Sequence, residues 1–124
     1  MKLMVCYDGS DAGKEALRIA KEYAPKFDGT LHVVASLPEE DVGSLPEWAG
    51  IKAEIEGAGG TCVEEALPDH LTDGESLVAY AEREEVGAIF IGVRKVSKVG
   101  KLLFGSTAQY VILGAPCPVI SVRG

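Results

Sequence analysis

A basic segment bounded by glycines is the part of the sequence best suited to bind an anion. It runs from Gly92 to Gly105 and contains four Lys and Arg residues and no acidic residue. The spacing of Ser106 and Gln109 directly after it predicts a capping box, in which the Ser106 hydroxyl pairs with a backbone N–H at a helix start. Unpaired N–H groups at the positive end of a helix dipole favour a negatively charged ligand. The segment therefore predicts a phosphate site.

The charge of the chain is divided along its length. Residues 1–85 hold 7 Lys and Arg against all 19 Asp and Glu, a net charge of −12. Residues 86–124 hold 5 Lys and Arg and no acidic residue, so the whole chain carries −7. Nucleic acids and anionic membranes bind extended basic surfaces, which an acidic protein lacks. We therefore predict neither as a partner, although one small basic pocket is compatible with this distribution.

A polar turn, Asp8-Gly9-Ser10, follows the apolar run at residues 3–7 and precedes a helical stripe of apolar residues. In open α/β sheets, ligands bind beyond the carboxyl ends of the strands, where the strand order reverses. The basic segment follows the apolar run at residues 88–91 and so occupies the same rim of the sheet. The two segments therefore form one site if these two strands are neighbours.

Strand-like and helix-like segments alternate along the chain. Apolar runs predict five strands, at residues 3–7, 31–35, 61–67, 88–91 and 119–122. Amphipathic stripes predict four helices, at about residues 12–24, 46–56, 72–81 and 106–113, and a second capping box, at Thr72 and Glu75, opens the third. Prolines before the last strand suit an edge position. This alternation predicts a single three-layer α/β domain over residues 1–124, with helices on both faces of a parallel sheet.

Cysteine and histidine residues predict no metal site and no disulfide framework. The three cysteines Cys6, Cys62 and Cys117 are far apart, and each lies in an apolar context that predicts a small buried side chain. His32 is expected to be a strand residue whose ring is hydrogen-bonded. The N-terminal residues form a strand rather than a secretory signal, and no apolar run is long enough to cross a membrane, so we expect a cytoplasmic protein.

The segments named above resemble the universal stress protein family over nearly the full length of the chain. Residues 5–10 are similar to the first strand and Asp-Gly-Ser turn of that family, and residues 31–33 to its second strand. Residues 105–111, followed by the Ala-Pro-Cys-Pro-Val sequence at 115–119, form the most specific match. The resemblance implies the strand order 3-2-1-4-5 and a homodimer joined along strand 5.

The resemblance also implies a binding site for ATP or a related adenine nucleotide, with Mg²⁺ as a possible companion. The nucleotide-binding branch of the family carries Gly-x2-Gly-x9-Gly-Ser/Thr, which falls on Gly92, Lys95, Gly105 and Ser106. Asp8 matches the residue that contacts the nucleoside, and Val33 the position whose backbone meets adenine. The predicted binding residues are Asp8, Gly9, Ser10, Val33, Gly92, Lys95, Gly105, Ser106 and Thr107.

Lys95 replaces the middle glycine of this pattern and leaves two functions open. Its ammonium group could bind phosphate, in a regulatory protein of the stress response that binds ATP. Its side chain could instead fill the phosphate pocket, in a dimeric interaction module that binds no nucleotide. Neither function needs catalysis: the sequence offers no nucleophile and no general base beyond Asp8, so the protein is at most a slow ATPase.

Overall fold

Five parallel strands form the centre of the computed structural model, which describes residues 1–35, 45–64, 72–93 and 105–124. The strands are β1 (Lys2–Tyr7), β2 (Thr30–Ala35), β3 (Thr61–Glu64), β4 (Ala88–Val93) and β5 (Val119–Arg123). Their order is β3-β2-β1-β4-β5, and every neighbouring pair is parallel. Both the predicted order and the edge position of β5 are confirmed. The order reverses between β1 and β4, so their carboxyl ends flank the crevice where such sheets bind ligands.

Four helices of the described residues cover the sheet, two on each face. They are α1 (Asp11–Tyr23), α2 (Trp48–Gly57), α3 (Asp73–Arg83) and α4 (Ser106–Gly114), and a short 3-10 helix (Ala24–Phe27) extends α1. Buried side chains of α1 and α2 share one hydrophobic cluster with the sheet, whereas those of α3 and α4 share a second cluster. The predicted three-layer architecture is therefore confirmed.

Alternation along β1 shows why the apolar run at residues 3–7 has no polar position. Leu3, Val5 and Tyr7 belong to the cluster under α1 and α2. Met4 and Cys6 belong to the cluster under α3 and α4. Since helices cover both faces, each side chain of the run is buried, as is usual for central strands of parallel sheets.

Several element ends differ from the sequence prediction by one or two residues. β4 continues to Val93 because its last residues remain paired with β5. The helix predicted from Pro46 begins at Trp48, since Pro46 and Glu47 form a turn before it. The part of the third predicted strand at residues 65–67 lies outside the described residues. These shifts do not alter the topology.

Two expectations about polar core residues have different outcomes. His32 is only 6% exposed, and its Nδ1 lies 2.9 Å from the Tyr80 hydroxyl, so the ring is hydrogen-bonded as expected. Its burial lowers the pKa of the imidazole. The cysteine prediction is correct only for Cys6, because Cys62 and Cys117 are partly exposed. Burial raises the thiol pKa to about 12 at Cys6 and about 11 at Cys62.

Within the described ranges, no helix has the length and apolar character that a membrane span requires.

Candidate functional site

The turn after β1 is built by a chain of hydrogen bonds that begins at Asp8. Asp8 Oδ1 accepts hydrogen bonds from the Ser10 backbone N–H (3.0 Å) and from the Ser10 hydroxyl (2.6 Å). Ser10 Oγ in turn accepts the Gly13 N–H at 3.0 Å, which makes Ser10 the N-cap of α1. Gly9 has φ +81°, a conformation that L side chains rarely adopt. The turn therefore has a glycine where φ is positive and a serine at the N-cap position, the residue types that these positions favour.

The Asp8 carboxylate lies against the first turn of α1. A Cβ atom placed on Gly13 would come within 2.5 Å of Asp8 Oδ1, so a larger residue there would displace the carboxylate. A carboxylate at the positive end of a helix is favourable by about 0.3–1 kcal/mol. The N-terminus of α1 therefore already has a capping hydroxyl, from Ser10, and a negative charge, from Asp8.

The N-terminus of α4 has no such arrangement. Its N-cap is Gly105, at φ −61° and ψ 155°, and no side chain caps the helix. The capping box predicted at Ser106 is therefore wrong: the Gly105 carbonyl accepts the Gln109 N–H at 3.0 Å, so Ser106 is already the first helical residue. The first N–H groups of an α-helix have no partner within the helix, so those of α4 must find partners outside it.

A cleft of about 260 Å³ lies between these two helix starts, at the carboxyl ends of β1 and β4. Its walls come from the turn after β1, the end of β4 and the first turn of α4. The residues that line it are Cys6, Asp8, Ser10, Ala12, Ile91, Gly92, Val93, Gly105, Ser106, Thr107 and Ala108. The structure therefore brings the Asp8 turn and the two described ends of the basic segment, at Gly92 and Gly105, into one crevice.

Gly92 is needed for packing as well as for the shape of the cleft. A Cβ atom on Gly92 would lie 2.5 Å from the Ala12 carbonyl carbon and 2.7 Å from the Gly13 nitrogen. Both are backbone atoms of the first turn of α1, which cannot move aside as the end of a flexible side chain can. The absence of a side chain at Gly92 therefore lets β4 approach α1 and closes this side of the cleft.

Six of the nine predicted binding residues line the cleft: Asp8, Ser10, Gly92, Gly105, Ser106 and Thr107. Gly9 lies within the same turn, and a Cβ atom there would meet Leu45 at 3.0 Å. Val33 lies apart from them. It is completely buried in the middle of β2, paired with Val5 and Cys62, two residues before the strand ends. Lys95 lies outside the described residues.

Trp48 is a neighbour of the site that the sequence did not reveal. Its ring stacks on Tyr7 with a centroid distance of 6.1 Å, and its indole N–H donates to Glu64 Oε1 at 2.7 Å. Trp48 thus links α2 to the ends of β1 and β3. Its partner on β1, Tyr7, directly precedes Asp8. The one available signal was that it is the only tryptophan of the chain.

Tyr7 is also affected by a carboxylate from the turn before α2. Burial, together with the adjacent Glu47 carboxylate, raises the pKa of the Tyr7 hydroxyl to about 12. Glu47 Oε2 lies 3.6 Å from Lys14 Nζ, which links this turn to α1. Tyr7 therefore stays neutral at physiological pH. In the described part of the chain, no group of three or more His, Cys, Asp or Glu side chains is placed to hold a metal ion.

The comparison with protein families identifies the chain. The model of the universal stress protein family matches residues 1–123. The chain belongs to the universal stress protein family. A curated Thermus aquaticus relative, described as a universal stress protein in the QAH/OAS sulfhydrylase 3′ region, is 32% identical and aligns over 98% of this chain and 97% of its own length.

Solved structures of other universal stress proteins share this fold. One from Archaeoglobus fulgidus is 34% identical, covers 98% of both chains and superposes with a TM-score of 0.77. Another universal stress protein from Archaeoglobus fulgidus, solved in complex with dAMP, is 29% identical with a TM-score of 0.69 and covers 98% of this chain and 97% of its own. The resemblance inferred from the sequence motifs is thereby confirmed.

Proposed function

We propose that this universal stress protein binds an adenine nucleotide, ATP or a related one, with the phosphates at the N-terminus of α4. The observation that carries the proposal is the cleft of about 260 Å³ in which the Asp8 turn faces the uncapped helix start at Gly105. A relative with 29% identity and the same fold was solved in complex with dAMP, which supports an adenine nucleotide as the ligand.

The two walls of the cleft suit different parts of such a ligand. The N–H groups at the start of α4, which have no partner within the helix, and the Ser106 and Thr107 hydroxyls beside them offer hydrogen-bond donors at the positive end of a helix dipole. The Asp8 carboxylate on the other wall would repel phosphate. It suits the hydroxyl groups of the sugar or a Mg²⁺ ion that enters with the phosphates.

Binding without turnover is the chemistry that these residues favour. The cleft presents backbone N–H groups, two hydroxyls and the Asp8 carboxylate. Asp8 Oδ1 already accepts two hydrogen bonds from Ser10, which occupies it in holding the turn. We therefore propose a regulatory protein of the stress response, with ATP hydrolysis that is slow at most. Its cytoplasmic location stays a prediction from the sequence.

Nucleotide binding is tested by thermal unfolding and calorimetric titration with Mg-ATP, AMP and adenosine. We expect saturating Mg-ATP to stabilise the wild-type protein by about 2.7 kcal/mol at a concentration 100 times the Kd. The double variant Gly105→Val, Ser106→Ala should lose this effect, because the valine crowds the helix start and the alanine removes a donor. Neither residue requires an unusual backbone conformation, so the variant should fold.

The matched control is the double variant Gly50→Val, Thr30→Ala. A Cβ atom at Gly50 meets nothing within 4 Å, and Thr30 begins β2 at the end of the sheet opposite the cleft. This variant should bind nucleotide as the wild type does. If millimolar nucleotide leaves the unfolding temperature of the wild type unchanged, the proposal fails, and the interaction module in which Lys95 fills the phosphate pocket becomes the better explanation.

We also infer that two copies pair along β5. This strand is the edge of the sheet, and its residues Val119 and Ile120 are only partly buried. Exposed edges of this kind readily pair with another strand. Sedimentation should give twice the 13.1 kDa of the chain. Ser121→Lys, which places a charge on the exposed edge, should shift the protein to the monomer; a wild-type monomer at high concentration would contradict the inference.

A further inference from the structure

We propose that Arg123 is a phosphate-binding residue of the cleft, a role that rests on the proposed nucleotide function. Arg123 is exposed and ends β5, the strand beside β4. Since all strands are parallel, the end of β5 lies at the same rim of the sheet as the Asp8 turn and the end of β4. The residue thus lies on the edge of the sheet that carries the cleft.

The neighbours of Arg123 along the chain determine which face its side chain takes. Val122 is buried in the cluster under α1 and α2. A Cβ atom on Gly124 would meet the Ala12 backbone nitrogen of α1, so Gly124 faces the same helix. Because side chains alternate along a strand, Arg123 between them projects from the opposite face. That face carries α3 and α4.

The register of β5 against β4 supports the same direction. Arg123 pairs with Val93, and paired residues on neighbouring strands project from the same face. Val93 lines the cleft and shares a buried cluster with Ala108, in the first turn of α4. Neighbouring strands lie about 4.8 Å apart, so the backbone of Arg123 is about that far from Val93, a residue of the cleft wall. Arg123 does not itself line the cleft, but a guanidinium side chain that begins beside Val93 is long enough to extend toward the start of α4.

The charge of Arg123 is not neutralised by a carboxylate of the described residues, in contrast to the other arginines described. Arg18 pairs with Glu15 and Glu22, and Arg83 lies 3.8 Å from Glu84. Guanidinium groups bind phosphate with two parallel hydrogen bonds, which gives both charge and geometric complementarity. An arginine near the N-terminus of α4 would therefore favour a nucleotide over the uncharged nucleoside.

The test compares the affinities of the full-length protein for AMP and for adenosine by calorimetric titration. Arg123→Gln should weaken AMP binding about 10- to 100-fold, the usual effect of losing hydrogen bonds to a charged group, and should change adenosine binding less than about twofold. Arg123→Lys should lie between the two, because it keeps the charge and loses the bidentate geometry.

Arg83→Gln is the matched control, with the same change in net charge. Arg83 lies at the end of α3 beside Glu84, which also contacts Lys2 at the start of β1, so it is at the far end of the sheet from the cleft. It should leave the ratio of AMP to adenosine affinity unchanged. An equal ratio in Arg123→Gln and wild type would overturn the role of Arg123 alone, whereas a wild type that binds neither ligand would overturn the proposed function and this role with it.

Discussion

Trp48→Ala is expected to lower the free energy of unfolding by about 3–5 kcal/mol, the usual cost of truncating a buried tryptophan to alanine. Trp48 is only 5% exposed, and three neighbours depend on it. Tyr7 loses its stacked ring, Glu64 loses a donor at 2.7 Å, and α2 loses its first buried residue. The cost is high because the ring is buried and spans the ends of β1 and β3.

Urea denaturation followed by far-UV circular dichroism measures this loss, since the variant has no tryptophan fluorescence. Trp48→Phe is the control: it keeps an aromatic ring against Tyr7 but removes the indole N–H and part of the ring volume, so it should cost about 1–2 kcal/mol. If Trp48→Ala cost no more than Trp48→Phe, the stacked ring would not be what holds this end of the sheet. The position would then be tolerant of cavities.

Gly92→Ala is expected to lower the free energy of unfolding by about 1–3 kcal/mol, as overpacking usually does. The direction of this change is informative, because replacing glycine by alanine inside a strand normally stabilises a protein by about 0.5–1 kcal/mol. At Gly92 the added methyl group would lie 2.5 Å from the Ala12 carbonyl carbon, so β4 and α1 must separate. The same movement would displace the Ser10 N-cap and the Asp8 carboxylate that it holds.

The matched substitution is Gly50→Ala, in α2, where a Cβ atom meets nothing within 4 Å. We expect this variant to gain up to about 1 kcal/mol, the difference in helix propensity between glycine and alanine. Urea midpoints of both variants, measured at the same pH, give the comparison. A gain in stability at Gly92 as well would show that α1 and β4 are not in tight contact at the cleft.

The main elements of the fold could be predicted from local patterns. The apolar run at residues 3–7 identified a covered central strand, because burial on both faces removes every polar position. The Thr72–Glu75 capping box predicted the start of α3 correctly, since Thr72 Oγ1 accepts the Glu75 N–H at 3.2 Å and the two residues are three apart in the chain. The strand order, by contrast, was implied by the family resemblance and not by spacing.

The candidate site was predicted less completely, for reasons that concern particular residues. Ser106 and Gln109 have the spacing of a capping box, yet the extended Gly105 starts the helix one residue earlier. Val33, which the resemblance places against adenine, lies two residues inside β2 and does not line the cleft, so the contact of its backbone with adenine stays a prediction. Nothing in the local sequence distinguishes these outcomes.

By itself, the sequence determined which segments form strands and helices, and that an Asp8 turn and a basic, glycine-bounded segment each follow a strand. Periodicity, capping and turn residues act within a few positions, so they can be read locally. Only the tertiary structure decided that Trp48 covers the end of β1, that Gly92 contacts α1, and that Arg123 faces the side of α4. These depend on strand order, register and close packing between distant segments, which no short stretch of sequence contains.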